Sequence, residues 1–176
     1  MRIATFAMIV SLALAATARA QTVAYDYDST ANFASYKTYA WTRGTELTDA
    51  LNHARVVRAI DAALAAKGLA RVEPNANPDV LVAYHARFEQ DLEISGAAHG
   101  GGPFGLGADR WGSARIQPLL VGLLLVDISN AQTGAIVFRS FASSDVRLTD
   151  KPESRDKKIT AAAKKMFQNY PPKKSQ

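Results

Sequence analysis

The chain has 176 residues, 48% of them hydrophobic, which suits a single domain able to bury roughly 70% of the surface its unfolded chain exposes. Its formal charge of +5 is mild and lies partly in the tail (Lys164, Lys165, Lys173, Lys174). There it serves solubility more readily than attraction to anionic lipid or polymer. The absence of cysteine excludes disulfides, a thiol nucleophile, a thiolate metal site and a lipid-modified cysteine.

Met1-Arg2 opens the chain, residues 3–16 are apolar, and Ala18-Arg19-Ala20 precedes Gln21. This order predicts a secretory signal peptide over residues 1–20, cleaved after Ala20, and a single domain over 21–176. Export removes nucleic-acid work from contention. No later stretch has the eighteen or so apolar residues of a membrane span. The expected product is periplasmic or secreted, soluble and not lipid-anchored.

Thr22 to Asp28 alternates Val23, Tyr25 and Tyr27 with smaller or polar neighbours and predicts a strand. Phe33 follows as a core plug, then the aromatic, threonine-rich strand Tyr36 to Thr42. Thr48 or Asp49 caps a helix whose face is His53, Val56, Val57, Ile60, Ala63 and Leu64, and Gly68 stops it. A short strand, Leu69 to Glu73, leads to a turn at Asn75–Asp79. Val80 to Ile94 alternates along its length, with His85, Arg87, Glu89, Asp91 and Glu93 on the polar face.

Seven of the seventeen residues from Gly96 to Gly112 are glycine, which predicts a long flexible loop over 96–112. Arg115 to Ile128 returns as a strand apolar on both faces, hence central or covered. Asn130–Gly134 is a hairpin turn, and Ala135 to Val146 is the partner strand. Asp150-Lys-Pro-Glu153 has the form of a capping box for a last helix. Its apolar face is Ile159, Ala162, Ala163, Met166, Phe167 and Tyr170. The sum predicts an α+β fold: a mainly antiparallel sheet with two helices packed on one face and a long Gly-rich loop between two strands.

Several stretches are similar to one known family. Tyr27-Asp28 with Phe33-Ala-Ser-Tyr36-Lys-Thr-Tyr-Ala-Trp41 resembles the opening signature of the domain of unknown function 4136 family. Ala59 to Gly68 resembles its first helix, and Asn77-Pro-Asp-Val-Leu-Val-Ala-Tyr-His85 its central strand. Val126-Asp127 with Thr133-Gly134 resembles its hairpin, and Tyr170-Pro-Pro172 its end. The resemblance covers nearly all of the chain after the signal segment and implies a small bacterial envelope protein. It implies no activity, because the family has no agreed biochemical function. The lipid-attachment cysteine of many relatives is missing here, and the glycine-rich loop carries fewer aromatics than theirs.

Chemistry-bearing patterns are sparse. Gly100 to Gly105 fits G-x-G-x-x-G in form, but Pro103 and further glycines replace the helix that a dinucleotide site requires, so no cofactor is expected. Glu89, Asp91 and Glu93 share one strand face and read as a solvated surface before a carboxylate pair or cation site. His53, His85 and His99 are scattered. No catalytic residue or metal ligand is assigned. Phe104, Leu106 and Trp111, set among the loop glycines, are the candidate contacts for an envelope protein, a polymer or a lipid surface. A non-enzymatic binding or structural module is the leading expectation. The alternatives are a periplasmic hydrolase acting on glycan or peptide with Glu89, Asp91 or His85, and a peripheral lipid-surface binder.

Overall fold

The computed structural model describes residues 22–95, 115–146 and 150–173, and for 89–95 and 115–120 it describes the backbone alone. The predicted signal segment and loop 96–112, with Phe104, Leu106 and Trp111, lie outside the described residues.

Among the described residues, six strands and two α-helices follow in chain order, with one turn of 3-10 helix at Phe33–Ser35. They are β1 (Thr22–Tyr27), β2 (Thr38–Trp41), α1 (Ala50–Ala65) and β3 (Ala70–Arg71), then β4 (Val80–Ser95), β5 (Arg115–Asn130), β6 (Ile136–Val146) and α2 (Pro152–Met166). The six strands form one sheet in the order β1-β6-β5-β4-β2-β3. As expected, β5 is central, lying between β4 and β6.

The sheet is mixed, which corrects the expectation of a mainly antiparallel one. β1, β6, β5 and β4 pair antiparallel, whereas β2 pairs parallel with both β4 and β3. The cause is α1: a helix between neighbouring strands is a crossover that returns the chain to the end where it began. Asp79 then fixes the parallel start of β2 and β4. One of its carboxylate oxygens accepts the N–H groups of Lys37 and Thr38, each at 2.8 Å, and the Thr38 hydroxyl at 2.9 Å. Those contacts, led by the Lys37 N–H, hold the Asp79 carboxyl below its usual pKa.

Local chemistry sets the element ends. Asp49 caps α1 by accepting from the N–H groups of Leu51 and Asn52, and Gly68 at φ 85° supplies the left-handed residue after it. Gly134 at φ 72° closes the β5–β6 hairpin, where Asn130 accepts from Gln132 and Thr133 N–H groups. The predicted capping box of α2 does not form. Lys151 holds the cap position without a side-chain cap bond, and the Asp150 carboxylate instead receives the Lys158 ammonium at 2.7 Å.

Both helices cover the same sheet face. Val56, Ile60 and Leu64 of α1, with Ala163 and Met166 of α2 and Phe167 and Tyr170 beyond it, bury against Tyr39, Val80, Val82, Tyr84, Val126, Ile128 and Phe138. Phe138 is fully buried, with ring centroids 6.1 Å from Phe167 and 5.1 Å from Tyr170. Burying one such side chain contributes roughly 1.5–3 kcal/mol.

Candidate binding cavity

Along the covered face, small residues interrupt the rows of larger side chains. On β4 the order is Val80, Val82, Tyr84, then Ala86, and on β5 it is Ile128, Val126, Leu124, then Gly122. Register places Ala86 opposite Leu124, Leu124 opposite Ala142, and Gly122 opposite Ser144. The helices do not close over these small residues. A cavity of about 290 Å³ remains, floored by the sheet and walled by Asn52 and Val56 of α1 and Ile159 and Ala162 of α2. That is near the low end of the roughly 300–1,000 Å³ typical of small-molecule sites. Leu47 and Phe88 stand at its margin, and Phe88 is 49% exposed.

The charged rim is engaged within the protein. Asp49 caps α1 and also accepts from the Asn52 amide at 2.8 Å. Lys158 is paired with Asp150, and Arg87, Asp145 and Arg155 each have partners of their own. Recognition therefore falls to the apolar walls.

The polar groups beside the cavity are structural pins. His53 Nδ1 and the Tyr84 hydroxyl share a 2.6 Å hydrogen bond, and that hydroxyl accepts from the Leu47 N–H at 3.3 Å. Burial raises the Tyr84 phenol above its usual pKa. His85 lies on the opposite face, where its Nδ1 accepts from the Thr45 N–H at 3.1 Å and its Nε2 is 3.9 Å from Asp127. Asp127 is held by Arg139 in two bonds of 2.6 and 2.7 Å, which keep the guanidinium charged beyond its ordinary range. On the helix side, Asp61 accepts from the Tyr39 hydroxyl at 2.6 Å, the Trp41 indole at 2.9 Å and Arg71 at 3.0 Å. Burial, with Asp61 beside it, pushes the Tyr39 phenol well up.

His53 and His85 thus lie on opposite faces of the sheet, and among the described residues no three metal-ligating side chains meet. Glu89, Asp91 and Glu93 stand in register opposite Val121, Leu119 and Gln117, and their side chains lie outside the described residues. Sequence reading overlooked Ala86, Gly122, Leu124 and Ala142 as a set. The available signal was a set of small residues on adjacent strands, and it appears only once the register is known.

A mixed six-stranded sheet with two helices on one face and an apolar cavity at their seam makes this an α+β domain. The model of the domain of unknown function 4136 family matches residues 23–172, and the chain belongs to that family. No curated protein sequence matches it.

Solved structures share the fold at low identity. A DUF4136 family protein from Bacteroides thetaiotaomicron is 14% identical with a TM-score of 0.51, covering 86% of this chain and 96% of that one. A PelC dodecamer from Paraburkholderia phytofirmans is 13% identical with a TM-score of 0.50, covering 84% and 95%. A PDZ domain protein from Parabacteroides distasonis is 14% identical with a TM-score of 0.54, covering 88% of this chain but 37% of that one.

Proposed function

We propose that this chain is an exported, non-enzymatic binding module of the bacterial cell envelope, released as a soluble protein by cleavage after Ala20. The observation that carries the binding reading is the apolar cavity between the sheet and the two helices. At its border Asp49 caps α1 and Lys158 pairs with Asp150, an arrangement that favours holding a ligand over transforming one. Export is supported by the order of residues 1–20, a positive start, an apolar run and a small-x-small site.

The test is cell fractionation followed by native mass spectrometry. The mature chain, beginning at Gln21, is expected in the osmotic-shock fluid and is expected to carry or accept a small ligand. Turnover of an envelope glycan or peptide, abolished by His85→Gln, would refute the non-enzymatic reading and restore the hydrolase.

A second reading has its own observation. The sheet face away from the helices presents Leu123, Leu125 and Phe141, each half-buried, around the Asp127–Arg139 pair. A similar fold occurs in a protein solved as a dodecamer. On this reading the chain is a structural subunit that associates with copies of itself. Light scattering that shows a defined oligomer, dissociated by Leu125→Glu, would favour it over the monomeric binder.

A further inference from the structure

We infer that the cavity takes the hydrocarbon tail of a single-chain amphiphile, bound as a monomer from solution, and reads tail length without regard to head charge. This rests on the binding-module reading and adds the ligand class.

The walls are aliphatic or small: Val56, Ala86, Leu124, Ala142, Ile159 and Ala162. The floor backbone is engaged, because Ala86, Leu124 and Ala142 lie in register across three adjacent strands. A peptide inserted here would leave its amides without partners, which is costly, whereas an alkyl chain has no polar group to satisfy. The space is about 290 Å³, room for one chain and too little for a folded segment or a two-chain lipid. Its outer margin, at the half-exposed Phe88, leaves a polar head in water. The rim places Arg87, Arg155 and Lys158 against Asp49, Asp145 and Asp150, three charges of each sign, all with partners in the protein. Such a rim selects no head charge. Discrimination then comes from apolar contact, which grows with each methylene.

The experiment is calorimetric titration of the mature chain with octanoate, decanoate and dodecanoate below their micellar concentrations. Decyltrimethylammonium, a naphthalenesulfonate and phosphatidylcholine vesicles complete the set. Saturable one-to-one binding of the alkyl series is expected, tightening roughly fourfold per methylene until the cavity is full. Decanoate and decyltrimethylammonium should bind alike. Ala86→Leu places three extra carbons in the cavity and should weaken decanoate more than about tenfold by the same increment. Should Ala86→Leu fail to fold, Phe88→Ala, at a half-exposed position, should still weaken decanoate severalfold. Affinity independent of tail length, or unchanged in the variant that folds, would overturn the inference. Saturable binding of the naphthalenesulfonate alone would also overturn it while leaving the binding module standing. Binding of no probe would remove both. Co-sedimentation with vesicles in place of saturable monomer binding would overturn it in favour of a lipid-surface role.

Discussion

The two ends of the helix-covered sheet face are built from the same strands and the same two helices, yet one is sealed and the other is hollow. At the sealed end, Phe138, Phe167 and Tyr170 interlock with Phe33, which meets Tyr170 edge to face at 5.7 Å. At the hollow end the equivalent strand positions are Ala86, Gly122, Ala142 and Ser144. Both helices reach both ends: Leu64 and Met166 pack in the core away from the cavity, Asn52 and Ile159 line it, and Val56 and Ala162 belong to both. Stability and binding are thereby separated along one axis, and substitutions at one end should leave the other readout largely unmoved.

The largest effect should come from emptying the sealed end. Phe138→Ala removes a fully buried ring shared by Tyr25, Phe167 and Tyr170, and should cost about 3–5 kcal/mol in urea denaturation. An equal loss from a truncation at the hollow end, such as Phe88→Ala, would break the comparison.

Next is Gly44, where the chain after β2 continues along β4. A Cβ there would lie 2.0 Å from the Tyr84 carbonyl oxygen, against backbone that cannot step aside. The Thr42 N–H bonds to the Val82 carbonyl and the Ala86 N–H to the Thr45 carbonyl, so this segment is fastened on both sides of the glycine. Gly44→Ala should destabilise by roughly 1–3 kcal/mol, read as a shift in urea midpoint at constant slope.

The elements legible in the sequence were those with a period or a chemical terminator. The alternation from Val80, the 3.6-residue face of Val56, Ile60 and Leu64, the Asp49 cap and the glycines at 68 and 134 each act locally, and each reappears in the structure. The parallel pairing of β2 escaped because it depends on Asp79, whose bonds to Lys37 and Thr38 span about forty residues, and on β3, too short to show alternation. The cavity escaped for a related reason. Gly122, Ala86 and Ala142 read separately as small strand residues, and only their cross-strand register makes them one floor. The capping box failed because a lysine two turns further on draws Asp150 away from the helix end.

Asp79 gives the comparison a pH readout at the sealed end. Its folded pKa lies below the ordinary aspartate value, so the stability it contributes is present above the unfolded pKa and is lost as pH falls through the folded one. Wild type should therefore lose stability on acidification below about pH 4, the unfolded aspartate value. Asp79→Asn should be less stable at neutral pH and should show a flatter acid limb in urea midpoints as the pH falls below about 4, the unfolded aspartate value. An acid limb of unchanged steepness would show that the carboxylate does not fasten β2 to β4.

The smallest effect is expected at Gly122, and its smallness is the informative part. A Cβ at this position would come within 2.8 Å of a Val146 methyl, closer than van der Waals contact allows, but the obstacle is the end of a side chain at the margin of an open cavity. The next neighbours, Phe88 Cε1 at 3.6 Å and the Ser144 carbonyl at 3.7 Å, are at ordinary contact distance. The obstacle is one methyl and no backbone atom, so the steric cost is smaller than at Gly44. Alanine also reduces the freedom of the unfolded chain, a gain of roughly 0.4–1 kcal/mol where its conformation is allowed. No left-handed backbone angle stands in the way, unlike at Gly68 and Gly134. The two contributions nearly offset, and Gly122→Ala should leave the urea midpoint almost unchanged while weakening alkyl-chain binding. A loss as large as that of Gly44→Ala would mean that the end around Gly122 is as tightly packed as the Tyr84 backbone, and the cavity would then have no room for a ligand.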